Sequence, residues 1–74
     1  MTLLAGFSGK DVIRRLEHEG YRVVRQKGSH ARLVHTDFAR RKITVPLHKE
    51  IGVGLLMQII KDSGMSVEHF LGSK

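Results

Sequence analysis

Three features of this 74-residue chain predict an α+β fold, a three-stranded antiparallel sheet with helices on one face. A helix-period segment near the N-terminus ends at a glycine. Three short strand-like segments follow, separated by turn signals, and the last alternates apolar and polar residues. A second helix-period segment and a short capped tail complete the order helix, three strands, helix, helix. No linker, repeat or low-complexity tract interrupts this order, so one domain over residues 1–74 is expected.

The first helix opens at Ser8, whose hydroxyl is placed as an N-cap, with Asp11 three residues on as its capping-box partner. Phe7 and Val12 stand at the positions of a hydrophobic staple. Val12, Ile13 and Leu16 recur at helical spacing, Lys10, Arg14, Arg15, Glu17 and Glu19 are set toward water, and Gly20 is the stop. Tyr21 to Gln26 reads as a strand, Lys27-Gly28 as a tight turn, and Ser29 to His35 as the second strand. Thr36 to Arg41 is a loop with Asp37 as turn former. Lys42 to Leu47 alternates, with Ile43, Val45 and Leu47 on one face and Lys42, Thr44 and Pro46 on the other. Pro46 cannot donate a ladder hydrogen bond, which suits an edge or a strand end. Leu55, Leu56, Ile59 and Ile60 mark the second helix, closed by Gly64, and Ser66 caps a last helix carrying Val67, Phe70 and Leu71. The expected core is Val12, Ile13, Leu16, Leu33, Val45, Leu55, Ile59 and Ile60.

Size and composition narrow the function classes. A chain this short buries only about 60–65% of its unfolded surface. There is no cysteine, hence no disulfide staple and no thiolate metal site. MTLLAGF is too short an apolar run for a signal peptide, and no segment reaches the roughly 18 apolar residues of a membrane span, so a cytoplasmic protein with no membrane partner is expected. Thirteen Lys and Arg against seven Asp and Glu give a net charge of +6, which favours a polyanionic partner. The charge is concentrated in Arg22, Arg25, Lys27, Arg32, Arg40, Arg41 and Lys42, whereas Glu50 to Gly64 holds one lysine.

Among the chemistry-bearing residues, His30 in KGSHARL is the one that the fold singles out. If Ile43, Val45 and Leu47 face the helices, their partners are Ala31 and Leu33, so His30, Arg32 and Val34 point to the open, basic face. Setting Ala31 opposite Leu47 and Leu33 opposite Val45 also brings His30 opposite His48. An imidazole with an unperturbed pKa near 6.5 can take the proton of a ribose 2′-hydroxyl or protonate a leaving 5′-oxygen. Arg25, Lys27 and Arg32 are suited to the phosphate charge. Gly28 allows close backbone approach, and Ser29 can orient the ring. A phosphate-contacting or merely exposed His30 fits the same residues. The seven carboxylates share no site in this layout, the five histidines lack HxxxH spacing, and no Gly-rich phosphate loop is present, so neither metal nor cofactor is implied. His18 and His69 are read as solvent-facing and His35 as structural or exposed. With Phe7 and Phe70 assigned to the core or the staple, no aromatic platform for single strands is expected.

The segments SGKDVIRRLEHEGYRVVRQKGSHARLVH, ITVPLH and LLMQIIKDSGMSVEHFL, from Ser8 to Leu71, resemble the HicA toxin family of bacterial toxin–antitoxin systems. The most specific pieces are Gly28-Ser29-His30 and Val45-Pro46-Leu47-His48. The resemblance implies a double-stranded-RNA-binding-domain-like fold and an endoribonuclease that cleaves mRNA and so halts translation, with His30 as the catalytic residue. It also implies a HicB-type antitoxin that covers the site in a hetero-oligomer. It assigns no role to His48, whose part as a supporting acid–base group is an expectation from the strand register alone. Two positions depart from the family pattern: KEIGVG lacks a lysine-rich run, and Met57 stands where a basic residue is usual. A non-catalytic RNA-binding module, or an adaptor docking an acidic protein, is the competing reading.

Overall fold

A computed structural model describes residues 3–73. The capping box forms as its spacing requires. Asp11 N–H donates to the Ser8 hydroxyl at 3.1 Å, and Ser8 N–H donates to the Asp11 carboxylate at 3.1 Å. That pairing, chiefly the Ser8 backbone bond, holds the Asp11 carboxyl below its ordinary range. It starts α1, Gly9–His18, which presents Val12 and Leu16 to the core. The remaining elements are β1 Tyr21–Lys27, β2 His30–His35, β3 Ile43–Pro46, α2 Val53–Ser63 and α3 Val67–Gly72. The strands form an antiparallel meander in the order β1-β2-β3, and α1 and α2 pack on one face of it. The α+β architecture with helices on one face is the one that the sequence predicts.

Register and boundaries differ from expectation in instructive ways. Ala31 pairs with Val45 and Leu33 with Ile43, a slip of two residues from the expected pairing. The faces survive, because a shift of two preserves side-chain parity, but His30 now pairs with Pro46, not His48. The turn is Gly28-Ser29, since Lys27 pairs directly with His30, and β3 is shorter than Lys42–Leu47 at both ends. Pro46 is buried, not open.

The core is built from Leu16, Leu33, Val12, Val45, Leu56 and Phe70, all fully buried, with Ile51, Tyr21, Ile43, Ile59, Ile60 and Met65 around them. Leu55, expected inside, is 45% exposed. The buried stripe of α2 is Leu56, Ile59, Ile60 and Ser63, spaced three, four and seven residues on, and Leu55 falls one step round the helix from it. Ile13 is only partly buried at the edge of the core.

Arg15 also departs from expectation. It does not face water: its guanidinium lies 4.9 Å from the Phe7 ring centre and 5.4 Å from that of Phe70. It donates to the carbonyls of Phe70 at 2.8 Å, Leu71 at 3.0 Å and Ser73. These carbonyls lie at the end of α3, where a cation is favoured by the helix dipole, and that of Phe70 also accepts from Ser73 N–H at 3.2 Å. Glu19, the C-cap of α1, links the other side. It accepts from Arg40 at 2.9 Å and lies 2.7 Å from His69 Nε2, while Arg40 also donates to the Ser63 carbonyl. The Arg40 hydrogen bond holds the Glu19 carboxyl below its ordinary range. His69 is exposed as expected, but it is paired.

The approach of α1 to β3 is the tightest feature of the fold. Gly9 N–H donates to the His48 carbonyl at 2.9 Å. A Cβ built on Gly9 would lie 2.2 Å from the Pro46 carbonyl oxygen and 3.0 Å from Leu47 Cα. Both are backbone atoms and cannot swing aside. Gly9→Ala is therefore expected to destabilise the protein by about 1–3 kcal/mol, the usual overpacking cost, although alanine is the better helix former by about 1 kcal/mol. Urea unfolding checks this, and an unchanged or raised midpoint would show that the helix can back away freely.

Candidate nucleic-acid face

Turn chemistry places His30. Gly28 has φ +57°, and no non-glycine residue among those described has positive φ. A positive φ at the first central residue alone is the signature of a II′-type hairpin turn, which asks for glycine there. A Cβ on Gly28 would meet nothing within 4 Å, so the requirement is conformational. The turn is held from outside by Leu47 N–H, which donates to the Ser29 carbonyl at 2.6 Å. Pro46 has no N–H for the ladder, and the residue after it makes the bond. His30 thus stands at the first residue of β2, exposed, with Lys27 opposite on one side and Pro46 on the other. Among the described residues, no group hydrogen-bonds to its ring, so the Ser29 hydroxyl does not orient it.

The cations come together through an irregularity. In β1, Val23 pairs with Leu33 and Arg25 with Arg32, leaving Val24 as the extra residue of a bulge. Strict alternation would put Arg22 on one face and Arg25 and Lys27 on the other. The bulge resets the parity. Arg22, Arg25 and Lys27 then stand opposite Val34, Arg32 and His30, all on the face away from the helices. Val23 and Gln26 turn to the other face, where they line a groove with Ile13 and Leu47. The signal in the sequence was the Arg-Val-Val-Arg spacing, which fits no strict two-residue period.

No strand carries an acidic residue. The ion pairs of the described residues are Arg14–Asp11, Arg40–Glu19 and His69–Glu19, so Arg22, Arg25, Lys27 and Arg32 have no carboxylate partner. Arg25 and Arg32 are direct cross-strand neighbours of like charge, an unfavourable pairing.

The other histidines separate from His30. His35 is buried, with its ring edge-on to Tyr21 at 4.9 Å. Its Nδ1 accepts from Asp37 N–H at 2.8 Å, and its Nε2 lies 2.8 Å from the Glu19 carbonyl. Those partners fix a neutral tautomer with the proton on Nε2, a structural role. His48 lies two residues past the partner of His30 and lines a separate hollow with Ser8, Lys10, Leu47 and Lys49. Among the described residues, no group of three or more His, Cys, Asp or Glu comes together. No helix among them is long and apolar enough to cross a membrane.

Two residues outside the expected set matter here. Phe38 is not in the core: it is 86% exposed in the β2–β3 loop, beside this same face. Ile51, in the KEIGVG loop, is buried and donates its N–H to the Phe7 carbonyl at 2.7 Å. That loop is used for docking onto the core.

Removing one of the opposed arginines should relieve repulsion. Arg32→Thr is expected to raise the unfolding free energy by up to about 1 kcal/mol in low salt. The gain should shrink at 1 M salt, where the screening length is about 3 Å. Chemical denaturation at the two ionic strengths checks this, and destabilisation in low salt would contradict the repulsive reading.

No curated protein gives a significant match to the chain. A family model described as the HicA toxin of bacterial toxin–antitoxin systems matches residues 9–65, which include α1, the whole sheet, the Gly28-Ser29-His30 turn and α2. With most of the chain covered, the protein belongs to the HicA toxin family.

Proposed function

We propose that this toxin is an endoribonuclease that cleaves mRNA with His30 as its acid–base residue, and that its antitoxin is of the HicB type. The observation that carries the reading is the setting of His30. It is a solvent-open imidazole at a rigid hairpin turn, beside Lys27, on a sheet face with four unpaired cations and no acid. RNA supplies both things that such a face lacks, anionic phosphates and a hydroxyl with a proton to give up.

In this mechanism Arg25, Lys27 and Arg32 hold the phosphate and offset the charge that builds on it. Neutral His30 takes the proton from the ribose 2′-hydroxyl. The 2′-oxygen bonds to phosphorus as the bond to the 5′-oxygen breaks, giving a 2′,3′-cyclic phosphate and a 5′-hydroxyl end. The departing oxygen takes its proton from water at the open face. Gly28 and Ser29 shape the turn and leave the backbone accessible. The two-residue register offset takes support from His48 as the leaving-group acid. The same face would be covered by the antitoxin, which must present acidic groups to it to displace RNA.

His30→Ala is expected to lower cleavage of a long single-stranded RNA at least about 100-fold in the presence of EDTA, with the circular dichroism and the RNA affinity retained. His48→Ala should lose far less. If wild type and His30→Ala bind RNA equally and neither cuts it, the protein is a non-catalytic RNA-binding module. If the wild type is inactive in EDTA and regains activity with a divalent cation, the metal-free chemistry is wrong.

A further inference from the structure

The open face does not end at its cations. At the far end of the sheet from His30, Val24 and Val34 line a hollow of about 320 Å³ with Arg22 and Phe38. Val24 is there because of the bulge, which adds an apolar residue to this face as well as resetting the arginines. Phe38 is there because the loop is tied down. Ala39 N–H donates to the Asp37 carboxylate at 3.0 Å, and Arg40 N–H to the Asp37 carbonyl at 3.0 Å. Asp37 N–H is fixed on the buried His35 ring, and the Arg40 side chain on Glu19 and the Ser63 carbonyl. The phenyl ring is therefore presented by a braced turn, with 86% of its surface open to solvent.

Single exposed apolar residues need no explanation. An aromatic ring beside two exposed or half-exposed valines and an unpaired arginine, continuous with a cationic face, does. We propose that this hollow is a base-binding subsite of the RNA face, in which an unstacked nucleobase lies on Phe38 against Val24 and Val34 while Arg22 meets its phosphate. This rests on the ribonuclease reading above and extends it to single-stranded substrate. Val34 lies four residues along β2 from His30, about 13–14 Å at the strand rise. The base held is therefore that of a neighbouring nucleotide, not the one whose 2′-hydroxyl reacts. A base fits better than a protein side chain because one nucleotide supplies both a π-face for the ring and an anion for Arg22. An apolar protein anchor would leave Arg22 unmatched. Double-stranded RNA keeps its bases stacked and cannot use the hollow.

The experiment uses the full chain carrying His30→Ala, so that RNA stays intact, with and without Phe38→Ala or Phe38→Trp. Binding is measured to a single-stranded oligonucleotide containing one 2-aminopurine and to a duplex of the same length. Phe38→Ala should weaken single-strand binding about 5- to 150-fold, the range for one stacked base. It should abolish the fluorescence quenching and leave duplex binding and the salt slope nearly unchanged. Phe38→Trp should retain affinity. Because Phe38 is outside the core, folding is not at stake. Unchanged single-strand binding in Phe38→Ala, with RNA still bound through the cations, overturns the subsite and leaves the ribonuclease reading standing. Loss of antitoxin binding alone would assign Phe38 to the protein partner and likewise overturn it. Absence of RNA binding in every variant, Phe38 intact included, overturns both.

Discussion

Backbone meets backbone where the first turn of α1 crosses the end of β3, and the position of His30 follows from that contact. The Ser8–Asp11 capping box aims the helix terminus. Gly9, lacking a Cβ, lets it settle against the Pro46 carbonyl and bond the His48 carbonyl. The chain then leaves β3 with Leu47 N–H directed at the Ser29 carbonyl, which anchors the Gly28-Ser29 turn, and the next residue is His30. No link in this series depends on a long flexible side chain. An exposed imidazole without a hydrogen-bonding partner would ordinarily be a poorly positioned one. Here the backbone supplies the positioning, and the ring is left free for a ligand.

The same face carries an electrostatic cost. Arg25 and Arg32 oppose each other across the strands, Arg22 and Lys27 add to the field, and the acids that could answer them are elsewhere. Asp11 caps a helix, Glu19 binds Arg40 and His69, and Asp37 braces a loop. Intramolecular neutralisation is spent on the structure, and the sheet face is left positive. Such a surface is stabilised by whatever anion covers it, by an amount that grows with the logarithm of ligand concentration over its dissociation constant. On the function proposed above, a nucleic acid and an acidic antitoxin would compete for the same stabilisation.

Much of this was legible in the sequence. The capping box, the αL glycine stop after α2 and the β3 alternation are local signals, and local chemistry delivers them. The face of His30 was legible as well, because parity needs only the alternation of Ala31 and Leu33. The register was not. It is set by where Pro46 interrupts the ladder and by the length of the Thr36–Lys42 connection, neither of which alternation encodes, so alternation alone sets His48 opposite His30 where the structure has Pro46. The bulge at Val24 is hidden for a related reason, since one inserted residue changes parity without leaving a strong compositional mark. Arg15 reads as a surface residue in the sequence because the carbonyls that it caps lie more than 50 residues away. Phe38 carries no such signal, because its role, unlike those of Phe7 and Phe70, is defined by exposure.

The most direct test of the central claim, that RNA is met by the bulged, cationic sheet face around His30, is an NMR titration of the labelled full chain. The ligand is a 2′-O-methyl oligoribonucleotide, which cannot be cleaved by 2′-hydroxyl attack. Shift changes should concentrate on the His30 ring and on Arg22, Arg25, Lys27 and Arg32, with Lys61 and the exposed side of α2 silent. Changes centred on Lys10, Arg14 or Lys61, with the His30 ring unmoved, would place the nucleic acid on the helical side and contradict the account.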